Sequence, residues 1–181
     1  MHKNFKIYYF IEKFNLKELS KINKSINIIF RNYSNSNYLD DLIKTRNFCK
    51  KKGFNLYLSN NLNLALKLKL EGVYLPAFNK RIIYNNLNIT KKFKIIGSAH
   101  NVAEIKVKEK QNCEEIFISP IFKTEKYKNY LDTIKFNILA NKTKRNVIAL
   151  GGVNLNNLKK IYSTRSIGVA SISWIKKNGL K

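Results

Sequence analysis

The sequence predicts an α/β fold, a compact (β/α)8 TIM barrel with short loops, and three observations support this prediction. Short apolar runs alternate with charged helical segments eight times along the chain. The alternation continues without a break in composition, so we expect one barrel domain over residues 1–181. The chain is short for a barrel, which typically has about 250 residues, so its loops must be short. A doubly wound open sheet is the alternative, because the same alternation is compatible with it.

Each predicted strand is a short apolar run that stops at a polar, glycine or proline residue. The predicted strands are Phe5–Ile11, Asn27–Phe30, Phe54–Leu58, Val73–Leu75, Lys94–Gly97, Ile116–Ser119, Val147–Leu150 and Ile167–Ser171. The predicted helices are Leu16–Lys24, Asp40–Lys52, Leu62–Leu70 (closed at Gly72), Asn101–Gln111, Asp132–Asn141, Asn154–Tyr162 and Trp174–Lys177. Residues Lys80–Thr90 are ambiguous and are interpreted as one short helix.

The composition favours a folded cytoplasmic protein. No apolar run is long enough for a membrane helix, and the N-terminus lacks the apolar core of a signal peptide. Cys49 and Cys113 lack metal-binding spacing, which favours reduced thiols. We therefore expect no membrane partner.

The net charge is the most extreme value in the composition. Lys and Arg number 35 against 11 Asp and Glu, which gives +24. The lysines are scattered and do not alternate with aromatic residues, so the pattern does not favour nucleic-acid binding. A small anionic substrate suits the charge equally well. A basic protein that binds polyanions without catalysis is kept as an alternative.

A pair of glycines marks a candidate phosphate site. Gly151 and Gly152 follow the seventh predicted strand and precede a helix that begins at Asn154. Bare backbone N–H groups can approach a phosphate there. In barrels the phosphate site is often formed by the loops after strands seven and eight, which would add Ile172 and Ser173. The alternative is that the glycines serve only a tight turn.

Ordered motifs in the second half of the chain resemble a known enzyme family. They are Ser98-Ala99-His100, Ser119-Pro120-Ile121-Phe122-Lys123-Thr124, Ala149-Leu150-Gly151-Gly152-Val153 and Gly168-Val169-Ala170-Ser171-Ile172-Ser173. Weaker matches precede them at Phe30-Arg31, Ser59-Asn60-Asn61 and Gly72-Val73-Tyr74-Leu75. Together they resemble the superfamily of thiamine phosphate synthases and thiazole tautomerases, of which the chain looks like a divergent member.

The resemblance implies a transferase of thiamine biosynthesis that joins hydroxymethylpyrimidine diphosphate to thiazole phosphate and releases diphosphate with the help of Mg²⁺. The implied partners are therefore phosphorylated small molecules, and a homo-oligomer is left open. The implied diphosphate-binding residues are Arg31, Ser59 and Ser98. The implied residues for the thiazole phosphate are Thr124, Gly151, Gly152, Ile172 and Ser173. The catalytic candidates are Arg31 and Ser98, with Lys126 and Lys128 as sources of positive charge.

Several positions depart from the family pattern. The metal-binding aspartates fall on Asn60 and Asn79, whose amide oxygens can ligate Mg²⁺ but carry no charge. A lysine of the family falls on Tyr33. These departures keep a second alternative open, a metal-independent tautomerase-like or non-catalytic barrel that binds thiazole phosphate. We predict that Gly152→Asp abolishes phosphate binding while leaving the fold intact.

Three further residues receive structural interpretations. His100 stands where a helix begins and is interpreted as a capping or packing residue. Cys113 precedes a buried strand and is interpreted as a core residue. Glu115, next to Glu114, is interpreted as surface charge on the side opposite the site.

Overall fold

A computed structural model of the chain describes residues 5–33, 38–82, 90, 92–125 and 128–178. Eight parallel strands form a closed barrel in which each strand pairs with the next in sequence and the last pairs with the first. The strands are β1 (Lys6–Ile11), β2 (Ile26–Phe30), β3 (Leu56–Ser59), β4 (Gly72–Leu75), β5 (Lys94–Ala99), β6 (Glu115–Ile118), β7 (Asn146–Leu150) and β8 (Gly168–Ser171). The (β/α)8 prediction is confirmed, and the open sheet is excluded.

The helices of the described residues are short and follow the strands in order. They are α1 (Leu16–Leu19), α2 (Tyr38–Lys52), α3 (Leu62–Lys67), α4 (Val102–Lys110), α5 (Asp132–Ala140), α6 (Leu155–Ile161) and α7 (Ser173–Asn178). Asparagine caps four of them, with side chains of Asn15, Asn61, Asn101 and Asn154 accepting backbone N–H groups. The short helix predicted within Lys80–Thr90 lies mostly outside the described residues, which omit 83–89.

Two predicted helices end earlier than expected. The helix predicted over Leu16–Lys24 stops at Leu19. The Asn23 side chain then accepts the N–H of Ser25 in the turn that leads into β2. The helix predicted to close at Gly72 stops at Lys67, and Lys69 adopts a left-handed φ of 52°. Gly72 is instead the first residue of β4.

Alternation along the strands separates two layers of core. Outward side chains pack under the helices, whereas inward side chains fill the barrel with aromatic rings. The inward set comprises Tyr8, Phe10, Ile29, Tyr57, Tyr74, Ile96, Phe117, Ile148 and Ala170. The ring of Phe117 lies edge-on to Tyr8 and Tyr74, with centroids 4.9 and 5.5 Å apart. The interior is therefore a packed core.

The interpretation of Glu115 as surface charge is wrong. It is the first residue of β6 and only 1% exposed, since its side chain points into the amino-terminal end of the barrel. The Tyr8 hydroxyl donates to Glu115 Oε2 at 2.6 Å, and Lys6 forms an ion pair with the other oxygen. Burial and the carboxylate raise the pKa of Tyr8, so its hydroxyl remains a donor.

Candidate functional site

The predicted site residues gather at one end of the barrel. Because all strands run parallel, the segments that follow their carboxyl ends meet there, and we call this end the mouth. Arg31 and Asn79 follow β2 and β4, Ser59 and Ser98 belong to β3 and β5, and Asn60 follows β3. The remaining residues follow β6, β7 and β8: Thr124, Lys128, Gly151, Gly152, Ile172 and Ser173. Lys126 lies outside the described residues.

Arg31 brings a permanent positive charge to the mouth. Its guanidinium carbon lies 4.9 Å from the centroid of the Phe10 ring, at the top of the aromatic core. Its Nη2 atom is 3.9 Å from Glu12, whose side chain is 73% exposed, so this ion pair is weak. The guanidinium therefore remains able to bind an anion.

Ser98 lies deep in the mouth, with only 4% of its surface exposed. The phenol of Tyr74, in the neighbouring strand, lies close to this hydroxyl. Burial raises the pKa of Tyr74, although the nearby Ser98 hydroxyl and Arg31 act in the opposite direction. Tyr74 is therefore neutral and adds a second hydroxyl near Ser98 and Arg31.

Ser59 is also engaged at its hydroxyl. The phenol oxygen of Tyr33 lies 2.6 Å from Ser59 Oγ. The Tyr33 ring stands edge-on to Phe78, with centroids 5.7 Å apart, and both rings are more than half exposed. An aromatic pair therefore flanks the mouth beside β2 and β4.

Asn60 and Asn79 face each other across the ends of β3 and β4. Asn79 Nδ2 donates to Asn60 Oδ1 at 2.7 Å. Asn60 has a φ of 61°, which asparagine tolerates, and its N–H donates to the carbonyl of Tyr74 at 2.8 Å. Strand pairing thus places the two predicted metal residues in contact.

A buried cation holds the loop that carries Asn79. The Lys108 ammonium donates to Pro76 O at 2.8 Å, to Asn79 O at 2.9 Å and to Gln111 Oε1 at 2.9 Å. Lys108 and Gln111 are both fully buried, and Gln111 Nε2 donates to Asn79 O and Arg81 O. Burial lowers the pKa of Lys108 to about 8, which leaves it charged at neutral pH.

The glycine pair joins two loops at the predicted phosphate site. Gly151 and Gly152 have φ values of 93° and 72°. Phe122 N–H donates to Gly151 O at 3.1 Å, and a Cβ placed on Gly151 would lie 3.7 Å from Thr124 Cγ2. Asn157 Nδ2 donates to Gly152 O at 2.9 Å, which fixes the peptide from the α6 side. The structure therefore brings Thr124 and both glycines together.

Gly152 also has a structural role, which corrects one prediction. A Cβ on Gly152 would lie 2.5 Å from Lys123 O and 2.6 Å from Phe122 O. Any side chain there must displace backbone, so Gly152→Asp cannot leave the loop after β6 intact. The tight-turn interpretation of Gly152 therefore agrees with the structure, whereas its part in a phosphate site stays a prediction.

The interpretations of His100 as a capping or packing residue and of Cys113 as a core residue agree with the structure. His100 Nδ1 lies 2.9 Å from the carbonyl of Ser119, and its backbone N–H donates to Glu104 at 2.6 Å. His100 therefore bridges the ends of β5 and β6, which is a packing role. Cys113 is fully buried, as a core residue should be.

Within the described ranges, no helix has the length and apolar character needed to cross a membrane. In the same residues, no three His, Cys, Asp or Glu side chains gather where they could hold a metal ion.

Sequence reasoning missed three contributors to the mouth: the Tyr33 hydroxyl, the Tyr74 hydroxyl and the Lys108–Gln111 pair. Tyr74 carried a usable signal, because it is the next-to-last residue of β4 and lies on the inward side. Lys108 carried none, since one lysine among 35 basic residues gives no sign of burial.

Comparison with known proteins identifies the family. The family model described as thiamine monophosphate synthase matches residues 17–175. A thiamine-phosphate synthase of Prochlorococcus marinus subsp. pastoris is 29% identical over 147 residues, which cover 80% of this chain and 42% of that protein. One of Fusobacterium nucleatum is 24% identical over 154 residues, which cover 84% and 75%. The chain thus spans less than half the length of the Prochlorococcus relative.

A solved structure gives the same result for the fold. The thiamine phosphate pyrophosphorylase from Pyrococcus furiosus superposes with a TM-score of 0.75 at 19% identity, covering 96% of this chain and 88% of that one. At this identity the likeness shows the fold. The family match confirms the resemblance inferred from the motifs and supports the thiamine phosphate synthase function that it implies. The chain belongs to the thiamine monophosphate synthase family, as a divergent member.

Proposed function

We propose that this chain is a thiamine phosphate synthase-like transferase that joins hydroxymethylpyrimidine diphosphate to thiazole phosphate and releases diphosphate. One observation supports the proposal: two sets of residues that are predicted to bind anions lie at the mouth. Arg31, Ser59 and Ser98 belong to the β2–β5 half, whereas Thr124 and the glycine pair belong to the β6–β8 half. Two phosphorylated substrates need two such sets. The family membership supports the same activity.

The reaction explains why the first set is basic and polar. The bond between the pyrimidinylmethyl carbon and the diphosphate oxygen breaks, and its electron pair leaves with the diphosphate. The lone pair of the thiazole nitrogen then forms the new carbon–nitrogen bond. Negative charge grows on the leaving diphosphate, so a fixed cation and hydroxyl donors accelerate its departure. Arg31 supplies the cation, and Ser59 and Ser98 supply hydroxyls; exposed Lys128, with Lys126, adds charge.

The second set holds the other substrate by its phosphate. The backbone N–H groups of Gly151 and Gly152, which carry no side chains, are the donors that we propose for this phosphate. The Thr124 side chain lies beside this turn, and Ile172 and Ser173 follow the adjacent strand β8.

The remaining parts of the proposal concern the setting. We propose that residues 1–181 act as one domain and that its partners are phosphorylated small molecules. A cytoplasmic location is supported by Cys49 and Cys113, which are free thiols in the described structure. The resemblance would place Mg²⁺ at Asn60 and Asn79, and the hydrogen bonds of these two amides decide whether it fits.

A second candidate is a metal-independent barrel that binds thiazole phosphate without coupling it. The hydrogen bond between Asn60 and Asn79 favours this candidate. Two neutral amides lie where the resemblance places two charged metal ligands. The two candidates share the site for thiazole phosphate. They differ in whether the β2–β5 half of the mouth binds the pyrimidine diphosphate and releases diphosphate.

The test is incubation of the purified chain with both substrates, followed by chromatographic measurement of thiamine phosphate and diphosphate. We expect the two products in equal amounts. Arg31→Met should lower the rate by roughly 100-fold, the usual effect of removing one group that stabilises transition-state charge. Lys110→Met is the control, because it removes one charge from an exposed position at the end of α4.

Two other outcomes would decide against the transferase. Calorimetric binding of thiazole phosphate without product would establish the second candidate. Absence of binding for both substrates, in a protein shown to be folded by circular dichroism, would contradict both candidates.

A further inference from the structure

The two amides at the expected metal position already satisfy each other. In a magnesium site, oxygen atoms from several ligands point at one cation. Here the Asn79 nitrogen, not its oxygen, points at Asn60, and the Asn60 oxygen accepts its proton at 2.7 Å. The space between the two side chains is therefore spanned by a hydrogen bond.

The neighbours of Asn79 fix this orientation. The backbone N–H of Arg81 donates to Asn79 Oδ1 at 3.0 Å. A backbone N–H can only donate, so the atom that it faces must be the amide oxygen. Rotating the amide by 180° would place its NH2 group against that N–H and its oxygen against the Asn60 oxygen. Both contacts would be repulsive, so a rotated Asn79 could not serve as a ligand without breaking the loop.

A positive charge stands behind the pair. The Lys108 ammonium lies 2.9 Å from the Asn79 carbonyl oxygen and is fully buried. Two cations close together repel, and the repulsion is stronger where water is excluded. A divalent ion drawn to Asn79 would therefore approach an existing cation without a carboxylate from Asn60 or Asn79 to offset it.

The charge at the mouth balances without the metal. Two aspartates and one Mg²⁺ sum to zero, and two asparagines also sum to zero. At the position of this pair, a diphosphate therefore meets the same net charge in either arrangement. Replacing both aspartates removes the anions that would repel the diphosphate in the absence of a metal.

We propose that the Asn60–Asn79 pair is closed to divalent cations, and that this mouth binds its diphosphate through Arg31 and neutral donors without Mg²⁺ held by the chain. The identity of the anion rests on the proposed function, whereas the exclusion of the cation rests on the amide hydrogen bonds alone.

The test measures Mn²⁺, a paramagnetic substitute for Mg²⁺, by the electron paramagnetic resonance signal of the free ion. We expect the wild-type chain to leave this signal as it is in buffer. The double variant Asn60→Asp with Asn79→Asp restores two carboxylates, so it should tighten Mn²⁺ binding by roughly tenfold or more. The matched control is Asn61→Asp with Asn101→Asp. It adds the same charge at two helix caps at this end of the barrel, where aspartate caps as well as asparagine.

Three results would overturn the proposal. One is saturable binding of one Mn²⁺ by the wild type that Asn60→Ala with Asn79→Ala removes. Another is a folded double-aspartate variant that gains no Mn²⁺ binding, since the amides would then not be the cause of exclusion. The third is equal gain in the control, which would assign the effect to net charge. If the double-aspartate variant does not fold, the wild type and the alanine variant still decide.

A parallel titration with pyrophosphate in a chelating buffer separates this inference from the proposed function. We expect pyrophosphate to bind the wild type with unchanged affinity when metal is removed. If pyrophosphate binds neither in the presence nor in the absence of metal, the diphosphate site of the proposed function is contradicted. The metal-free binding of diphosphate proposed here is then contradicted as well. The Mn²⁺ result would still decide whether the pair excludes a cation.

Discussion

The phenol oxygen of Tyr33 lies 2.6 Å from the hydroxyl oxygen of Ser59, at the edge of the mouth where the resemblance places a diphosphate. The resemblance places a lysine of the family at the position of Tyr33. A neutral hydrogen-bond donor thus replaces a charge, in the same half of the mouth where two amides replace two carboxylates. If the amide pair excludes the metal, that pair leaves the net charge unchanged, and the loss of the lysine lowers the positive charge of this half by one.

Restoring a positive charge at position 33 should increase the affinity for an anion. We expect Tyr33→Lys to raise pyrophosphate affinity by roughly tenfold, because hydrogen bonds from a charged donor are about twice as strong as neutral ones. Isothermal calorimetry measures the affinity. The control is Tyr162→Lys, which adds the same charge at an exposed position after α6, near Phe5 at the opposite end of the barrel. Equal gains in both variants would contradict a local effect.

Removing the buried ammonium should destabilise the protein. Lys108→Met keeps the length of the side chain but leaves the oxygens of Pro76, Asn79 and Gln111 without this donor. We expect a loss of about 3 kcal/mol in the free energy of unfolding, since buried unsatisfied groups cost about 1–3 kcal/mol each. Urea denaturation measures it, with Lys110→Met on the exposed side of α4 as the control. A loss no larger than that of the control would show that the ammonium is dispensable.

Gly152 and Gly53, two of the three described glycines with a left-handed φ, permit a matched comparison. Both have positive φ values, 72° and 76°, but a Cβ on Gly53 meets nothing within 4 Å. Gly53→Ala should therefore cost only the conformational strain, about 1–2 kcal/mol. Gly152→Ala should cost more and should also weaken inorganic phosphate binding, because the methyl group displaces the backbone at Phe122 and Lys123. Thermal unfolding and phosphate titration measure the two effects, and equal stability losses would contradict the close contact.

Both cysteine thiols should be inert in the folded protein. Burial raises the pKa of Cys49 and that of Cys113 to about 12. At pH 8 only about one thiol in ten thousand is then ionised, and the thiolate is the reactive form. We expect a disulfide reagent to detect no thiol in the native protein and two in concentrated guanidinium chloride. Rapid reaction of one native thiol would show that its environment opens readily.

The sequence predicted features that depend on local pattern. Alternating apolar runs identified all eight strands, because each strand had to be buried on both faces. Gly151 and Gly152 were identified because a close approach of two loops leaves a visible requirement for glycine. Parallel strand order then placed the site residues at one end without any knowledge of distances.

The sequence could not predict contacts between distant charged residues. Lys6 and Glu115 are 109 positions apart, and each is of a residue type that usually lies on the surface. Lys108 was hidden for the same reason, since burial of a lysine depends on carbonyl oxygens that turn toward it only in the folded chain. The contact between Asn60 and Asn79 follows from strand pairing, but the direction of its hydrogen bond depends on Arg81.

The buried Glu115 with Tyr8 and Lys6 has a kinetic consequence. These groups close the amino-terminal end of the barrel, and the inward side chains packed above them fill its interior. For the reaction proposed here, two substrates must enter and two products must leave at the same end of the barrel, the mouth. A departing product therefore occupies the route that the next substrate needs, so each product should inhibit by competing for entry.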